Sequence, residues 1–231
     1  MPSPFSRTRV LVTLSAVAVV AGAAVTTTAF ADTSAAARDG SAASASGDQR
    51  CFEPTHPFGF PQPEDTSTFY AMIEIPQDSF TKYEVDAETG QIIVDRFQSM
   101  PVAYPGNYGS IPRSQGGDGD PLDVLVLTRE PLHPGVQIEV RPIGVLNMVD
   151  DGEDDDKIVA VPADEIDPDY AEIDDIRDLP DMQAQRIEQF FAVYKTLPDG
   201  RNNVELDGFD NARSARNEVR DAIRAYRSAC D

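Results

Sequence analysis

Three aspartates, Asp118, Asp120 and Asp123, fall within six positions of the stretch "GGDGDPLDVLVL" (116–127), directly ahead of an apolar run. Carboxylates this close repel one another unless positive charge sits among them, and a hard divalent cation is the obvious filler. An EF-hand loop does not fit. Counted from Asp118, its fifth, sixth and twelfth places need an acid, a glycine and a glutamate, where this chain has Leu122, Asp123 and Arg129. A second acidic run, "DDGEDDDK" (150–157), is ordinary loop composition when taken alone. With the first it supplies oxygens enough for several Mg²⁺ ions. Mg²⁺ keeps part of its water shell and takes phosphate oxygens for its remaining ligands, so the pattern predicts a phosphate substrate. Phosphate in turn requires cations from the protein. Of the 19 basic residues 16 are arginine and three are lysine: Lys82, Lys157 and Lys195. A chain that uses arginine so consistently for surface charge keeps lysine where a compact ammonium on a flexible stem is wanted.

The elements that must position these groups are mostly strands. "FYAMIEIP", "TKYEV", "QIIVDRF", "PLDVLVL", "VQIEVRPIGVLNMV" and "KIVAVPA" are short and rich in β-branched residues, with turn signals such as "DAETG" and "HPG" between them. Close spacing of short strands argues for a small barrel rather than alternating βαβ units. On an extended 118–120 segment Asp118 and Asp120 would point the same way, with Asp123 across a Pro121 turn at the mouth of the next strand. After Pro180 the period changes: Ile187, Phe190, Phe191, Tyr194 and Leu197 recur at three and four, the pattern of an amphipathic helix. A second helix follows, with Asp210 as its expected cap and Ala215, Val219, Ile223, Tyr226 and Cys230 as its apolar stripe.

Around this domain the chain carries two further segments. Residues 1–31 hold Arg7 and Arg9, an apolar run from Val10 to Val25, and the small-x-small triplet Ala29, Phe30, Ala31, which together read as a signal peptide. About 16 apolar residues fall short of the roughly 20 that span a bilayer. Residues 32–50 lack large apolar side chains and read as a disordered Ala/Ser/Gly-rich linker. Residues 51–231 suit one compact catalytic domain. The chain has 40 acidic residues against 19 basic, a net charge of −21. Such a surface repels polyphosphate backbones and anionic lipid, which argues against nucleic acid and membrane surfaces as partners once the signal is removed. The two cysteines, Cys51 and Cys230, flank the domain, and in an exported protein an even pair reads as a disulfide. Closing a loop of about 180 residues is worth on the order of 5 kcal/mol as an upper figure.

These blocks resemble the soluble, Mg²⁺-dependent inorganic pyrophosphatases of the single-domain, barrel-based family I type. "DGDPLDVLV" matches that family's signature, and "IEIP", "TKYEVD", "VDRF", "YPGNYG", "RPIGVLNMVD", "DDDKIVAVP" and "FFAVYK" follow in the family's order and spacing over about residues 69–230. The resemblance implies an α+β fold, mainly β: a small closed OB-like five-stranded barrel with flanking strands and two C-terminal helices. It implies that Asp118, Asp123 and Asp155 hold one metal, that Asp123 is shared with a second, that Asp150 and Asp155 bind metal arriving with the substrate, and that Glu74 helps through water. Lys82, Arg96, Tyr108, Lys157, Tyr194 and Lys195 would hold the two phosphate groups, with Asp120 as the base near the attacking water. Tyr194 also lies on the apolar stripe of its helix, so its ring is a core candidate as well. The family has a glycine just before its Glu-Asp pair; here Gly152 stands one place earlier. Asp155 is therefore assigned by its distance of two from Lys157, with Asp154 and Asp156 as alternatives.

The implied reaction is hydrolysis of pyrophosphate by metal-activated water, with several Mg²⁺ ions as cofactor and Mn²⁺ as a substitute, in a secreted homo-oligomer that the same resemblance makes a hexamer. No Ser/His or Cys/His pairing suggests a covalent intermediate, since His56 and His133 both lie beside prolines in loop-like sequence. Two other readings compete with it: hydrolysis of tripolyphosphate or a nucleotide, and a catalytically silent extracellular domain that binds divalent cations.

Overall fold

The computed structural model describes residues 51–199 and 203–230. The expected signal peptide and linker lie outside the described residues. In chain order the strands are β1 (Phe69–Ile75), β2 (Thr81–Val85), β3 (Ile92–Phe97), β4 (Asn107–Ser110), β5 (Asp123–Val126), β6 (Gln137–Asp150), β7 (Glu153–Asp154) and β8 (Lys157–Pro162). Helix α1 (Asp181–Val193), strand β9 (Val204–Asn211) and helix α2 (Ala212–Cys230) complete the fold.

Pairing runs β1–β4–β5–β8–β6, and β6 returns to pair with β1, which closes a five-stranded ring. Full closure leaves these strands without a free edge. β6 is the hub because its 14 residues also pair with β7 and β9, with a register shift between Pro142 and Gly144 where the proline has no N–H to give. β5 and β8 run parallel, and every residue of β8 is buried. A strand covered on both faces reads as a continuous apolar run, which "IVAV" is.

Alternate residues of these strands feed two cores. Val124, Val126, Ile158 and Ala160 join Ala215, Val219 and Ile223 of α2. Leu125, Val159 and Val161 join Ile187, Phe190 and Phe191 of α1. Each of the valine, leucine, isoleucine and phenylalanine side chains contributes about 1.5 to 3 kcal/mol by leaving water. The β2–β3 hairpin forms a two-stranded sheet of its own outside the ring.

Several expectations are corrected. Strands β4, β7 and β9 were not legible from the sequence, and residues 117–118 form a turn rather than an extended segment. Asp120 N–H donates to Asp118 Oδ1 at 3.0 Å and Gly119 N–H to the Gly116 carbonyl at 3.2 Å, so local hydrogen bonds curl the stretch. Leu197 lies beyond α1 and is 43% exposed. Asp210 is still in β9, and α2 is capped by Asn211, whose Oδ1 accepts from Arg213 N–H at 2.9 Å and Ser214 N–H at 3.1 Å. The disulfide expected between Cys51 and Cys230, by contrast, is present, with Cα atoms 5.5 Å apart.

Candidate active site

The parallel β5–β8 register sets Asp123 opposite Lys157, so the two acidic segments read from the sequence meet on neighbouring strands. Lys157 is buried to 1% exposure and its Nζ donates to Asp123 Oδ2 at 2.6 Å and to Asp155 Oδ1. Burial pulls the ammonium down, but the carboxylates of Asp123 and Asp155 outweigh it and hold the lysine above its ordinary pKa. A buried ion between two acids must keep its charge or lose both partners. The Tyr108 hydroxyl also donates to Asp123 Oδ2. Burial, and then the charge of Asp123, pushes that hydroxyl well above the usual tyrosine range, so it serves as a neutral donor.

The two acidic loops touch. A Cβ on Gly117 would come within 2.8 Å of Asp154 Cβ and of the Asp154 carbonyl, a close approach that only glycine permits. Asp118 acts on Asp155 through its charge across this contact. Asp155 is raised to about 6, by burial first and by Asp123 and Asp118 against the relief from Lys157. Of its alternatives, Asp156 accepts from Met148 N–H at 2.8 Å and so ties down backbone, and Asp154 is exposed in β7. Only Asp155 turns toward Lys157 and Asp123. Glu74, from β1, is buried, and its carboxylate accepts from Val85 N–H at 2.8 Å and the Ser110 hydroxyl at 2.9 Å. Burial, with the Asp123 charge adding to it, raises Glu74 to about 7. Asp120 is exposed on the 116–120 turn beside Asp118.

The remaining cations come from outside the ring. Lys82 and Arg96 are register partners across the β2–β3 hairpin. Asp95 holds both, at 3.1 Å from Lys82 Nζ and 2.6 Å from the Arg96 guanidinium, while Glu84 takes a second proton of Lys82 at 3.1 Å. Lys195 follows α1, pairs with Asp150 Oδ2 at the end of β6, and sits 5.4 Å over the Tyr194 ring. Tyr194 packs with Tyr104, Phe190 and Phe191 as core, yet it also lines a cleft of about 330 Å³ with Arg96, Gln98, Lys195 and Asn203. Another cavity, of about 430 Å³, lies among Ile176, Leu179, Ala184 and Phe209 and contains none of the residues above. Sequence reasoning missed Asp95 as the clasp of Lys82 and Arg96, although it stands in "VDRF". It also missed Asn203, which donates to Asp151 at the cleft rim.

The donor chemistry fits hard divalent cations. Every candidate ligand is a carboxylate oxygen, Asp150 Oδ1 is buried without a hydrogen-bond partner, and Glu74 and Asp155 are raised by burial and then by the charge of Asp123, a penalty on the anions that a cation would offset. Among the described residues no three acids stand close enough to ligate one ion as they are; the Lys157 ammonium lies between Asp123 and Asp155, and the Lys195 ammonium pairs with Asp150.

Residues 71–227 match the family model described as inorganic pyrophosphatase. The chain belongs to the inorganic pyrophosphatase family. It is 42% identical over 172 residues to inorganic pyrophosphatase 1 of Pseudomonas syringae pv. tomato, covering 74% of this chain and 96% of that protein. With the inorganic pyrophosphatase of Sulfolobus acidocaldarius the identity is 49% over 153 residues, 66% of this chain and 88% of the relative. Among solved structures, the Helicobacter pylori inorganic pyrophosphatase superposes with a TM-score of 0.69 at 39% identity, over 72% of this chain and 98% of that one. The Thermus thermophilus inorganic pyrophosphatase gives 0.68 at 40% identity, over 71% and 94%. The five-stranded ring and two helices are the family's fold, in agreement with the sequence expectation.

Proposed function

We propose that this chain hydrolyses inorganic pyrophosphate to two orthophosphates, with Mg²⁺ as cofactor and Mn²⁺ as a substitute, outside the cytoplasm after loss of residues 1–31. The observation that carries the reading is the junction of Asp123, Lys157 and Asp155 between two acidic loops, beside a cleft lined by Arg96, Tyr194 and Lys195. Asp118, Asp123, Asp150, Asp155 and Glu74 would hold the metal. Magnesium, when bound, makes a water ligand acidic enough to yield hydroxide near neutral pH and neutralises phosphate oxygens.

The chain's own residues do the rest. Asp120, exposed on its turn, accepts the proton of the attacking water. Lys82, Arg96 and Lys195 oppose the charge on the phosphate oxygens and fix the line of attack. Lys157 and the neutral hydroxyls of Tyr108 and Tyr194 donate to the phosphate nearest the carboxylates. The apolar run and small-x-small site at the N-terminus support export, and the disulfide suits an oxidising compartment. The exposed Ile93, Val94 and Phe97 of β3 support the expected homo-oligomer.

Phosphate release from pyrophosphate, tripolyphosphate and ATP at equal Mg²⁺, with and without EDTA, tests the reading. Pyrophosphate should be fastest and EDTA should abolish release. Faster release from ATP or tripolyphosphate would favour the larger phosphoanhydrides, and no release from any of them would favour a cation-binding domain.

A further inference from the structure

The segment 51–59 lies ahead of the residues matched by the family model, which begin at 71, and it connects three distant places. At one end Cys51 is bonded to Cys230, and Phe52 N–H donates to the Tyr226 hydroxyl of α2 at 2.8 Å. Its middle is a compact turn, with His56 N–H on the Glu53 carbonyl and Gly59 N–H on the His56 carbonyl, both at 2.8 Å, and with the rings of Phe52 and His56 stacked at 4.6 Å. At the other end Gln137 Nε2 donates to the Pro57 carbonyl at 3.0 Å, and Arg113 uses its N–H and Nε on the Phe58 and Gly59 carbonyls at 2.9 and 2.8 Å.

From there the segment bears on the β2–β3 hairpin. Phe58 packs with Val85, the last residue of β2, and with Met72 in a small core of their own. At the hairpin turn, a Cβ on Gly90 would fall 2.9 Å from Pro57 Cδ and 3.1 Å from His56 Cδ2. The hairpin has no strand partner in the ring, so its angle to the barrel is set by packing such as this together with the Val85 N–H to Glu74 hydrogen bond. One of its residues, Arg96, lines the cleft, and Lys82 is the register partner of Arg96 and shares Asp95 with it.

We propose that residues 51–59 are a strap that positions the Lys82–Arg96 hairpin for the substrate, and that the Cys51–Cys230 disulfide anchors it. A dithiol that reduces this bond donates two electrons and two protons, leaves two cysteine thiols, and itself ends as a cyclic disulfide. The freed strap end then holds the hairpin less firmly. Substrate capture weakens, while Asp123, Asp155 and Lys157, built into β5 and the start of β8, keep their geometry. Phe58 and His56 are thus positioning residues that act through Val85 and Gly90. The inference rests on the proposed function, because the hairpin's angle matters to turnover only if the cleft takes a phosphate anion.

The test compares the oxidised protein, the same protein after dithiothreitol, C51S, and F58L with the disulfide intact. The readouts are steady-state pyrophosphate hydrolysis and hydrogen–deuterium exchange over residues 80–98, with circular dichroism as the check of fold. Reduction, C51S and F58L should each raise KM by about tenfold with kcat changed less than about twofold. C51S should respond no further to dithiothreitol, and exchange over 80–98 should quicken in all three. Unchanged KM and unchanged hairpin exchange in a folded, reduced protein would overturn the strap. If the oxidised protein releases no phosphate, the functional reading fails on its own, and the exchange experiment still decides whether the disulfide governs the hairpin.

Discussion

Strands β5 and β8 carry the junction of Asp123 with Lys157 and the β2–β3 hairpin carries Lys82 and Arg96, and the two regions are held in different ways. Asp123 and Lys157 are register partners inside a closed ring, with both cores packed on their strands. Lys82 and Arg96 are register partners too, but on a two-stranded sheet whose outer strand is exposed at nearly every position. Under the proposed function Asp123 would hold metal, and its strand is paired on both sides within the ring. Lys82 and Arg96, which would clasp the anion under the same proposal, sit on a sheet outside the ring and are tethered by Asp95 and Glu84.

The contrast predicts different kinetic signatures for damage on either side. Asp123→Asn removes charge from the centre of the ring's acid–base junction and leaves Lys157 with Asp155 alone. It should lower kcat by on the order of 10³-fold, measured as phosphate release under saturating Mg²⁺. Lys82→Ala should act mainly on KM, by about ten- to a hundredfold, because its ammonium opposes substrate charge without touching the β5–β8 junction. Equal effects of the two on kcat would erase the distinction between the regions.

A pH titration of stability sharpens it further. Glu74 lies against the ring with its carboxyl raised from 4.5 to about 7 by burial and by Asp123. Between those values the folded chain holds a proton that the unfolded chain has released, so in EDTA stability should fall as pH rises from about 4.5 to 7 and level off above. The full change is about 3 kcal/mol. Glu74→Gln should flatten that limb in urea denaturation, and Mg²⁺ should offset it in the unsubstituted protein. A limb that survives Glu74→Gln would move its origin to Asp155, raised to about 6 in the same cluster.

How far the sequence disclosed all this differs between the same regions. Strands β1, β2, β3, β5, β6 and β8 were legible because β-branched runs alternate with turn signals, and the acids and lysines stood out by type and spacing. β4 was hidden because "NYGS" has no β-branched residue and owes its strand state to pairing with β1 and β5. β9, "VELDGFDN", is half polar since only one face meets α1's core, and it pairs with β6 across more than fifty residues of chain. Asp95 looked like a surface acid because its meaning lies in the cross-strand partner, which no local pattern prints. The turn at 117–118 escaped because glycine-rich sequence fits extended and curled backbones equally well until side-chain hydrogen bonds choose.

The smallest expected effect probes the ring's far support. Helix α2 inserts Ala215, Val219 and Ile223 into the core that backs Val124 and Ile158, the neighbours of Asp123 and Lys157. Its first turn has backbone N–H groups without helical acceptors, and Asn211 Oδ1 takes two of them, from Arg213 and Ser214. Asn211→Ala should therefore cost about 1 kcal/mol in urea denaturation, and Asp210→Ala much less, because Asp210 is spent in β9. Neither should move KM, since the cap bears on the barrel's packing and leaves the hairpin untouched. A rise in KM for Asn211→Ala would mean that α2 transmits to the cation side as well, through the strap bonded to its last turn at Cys230.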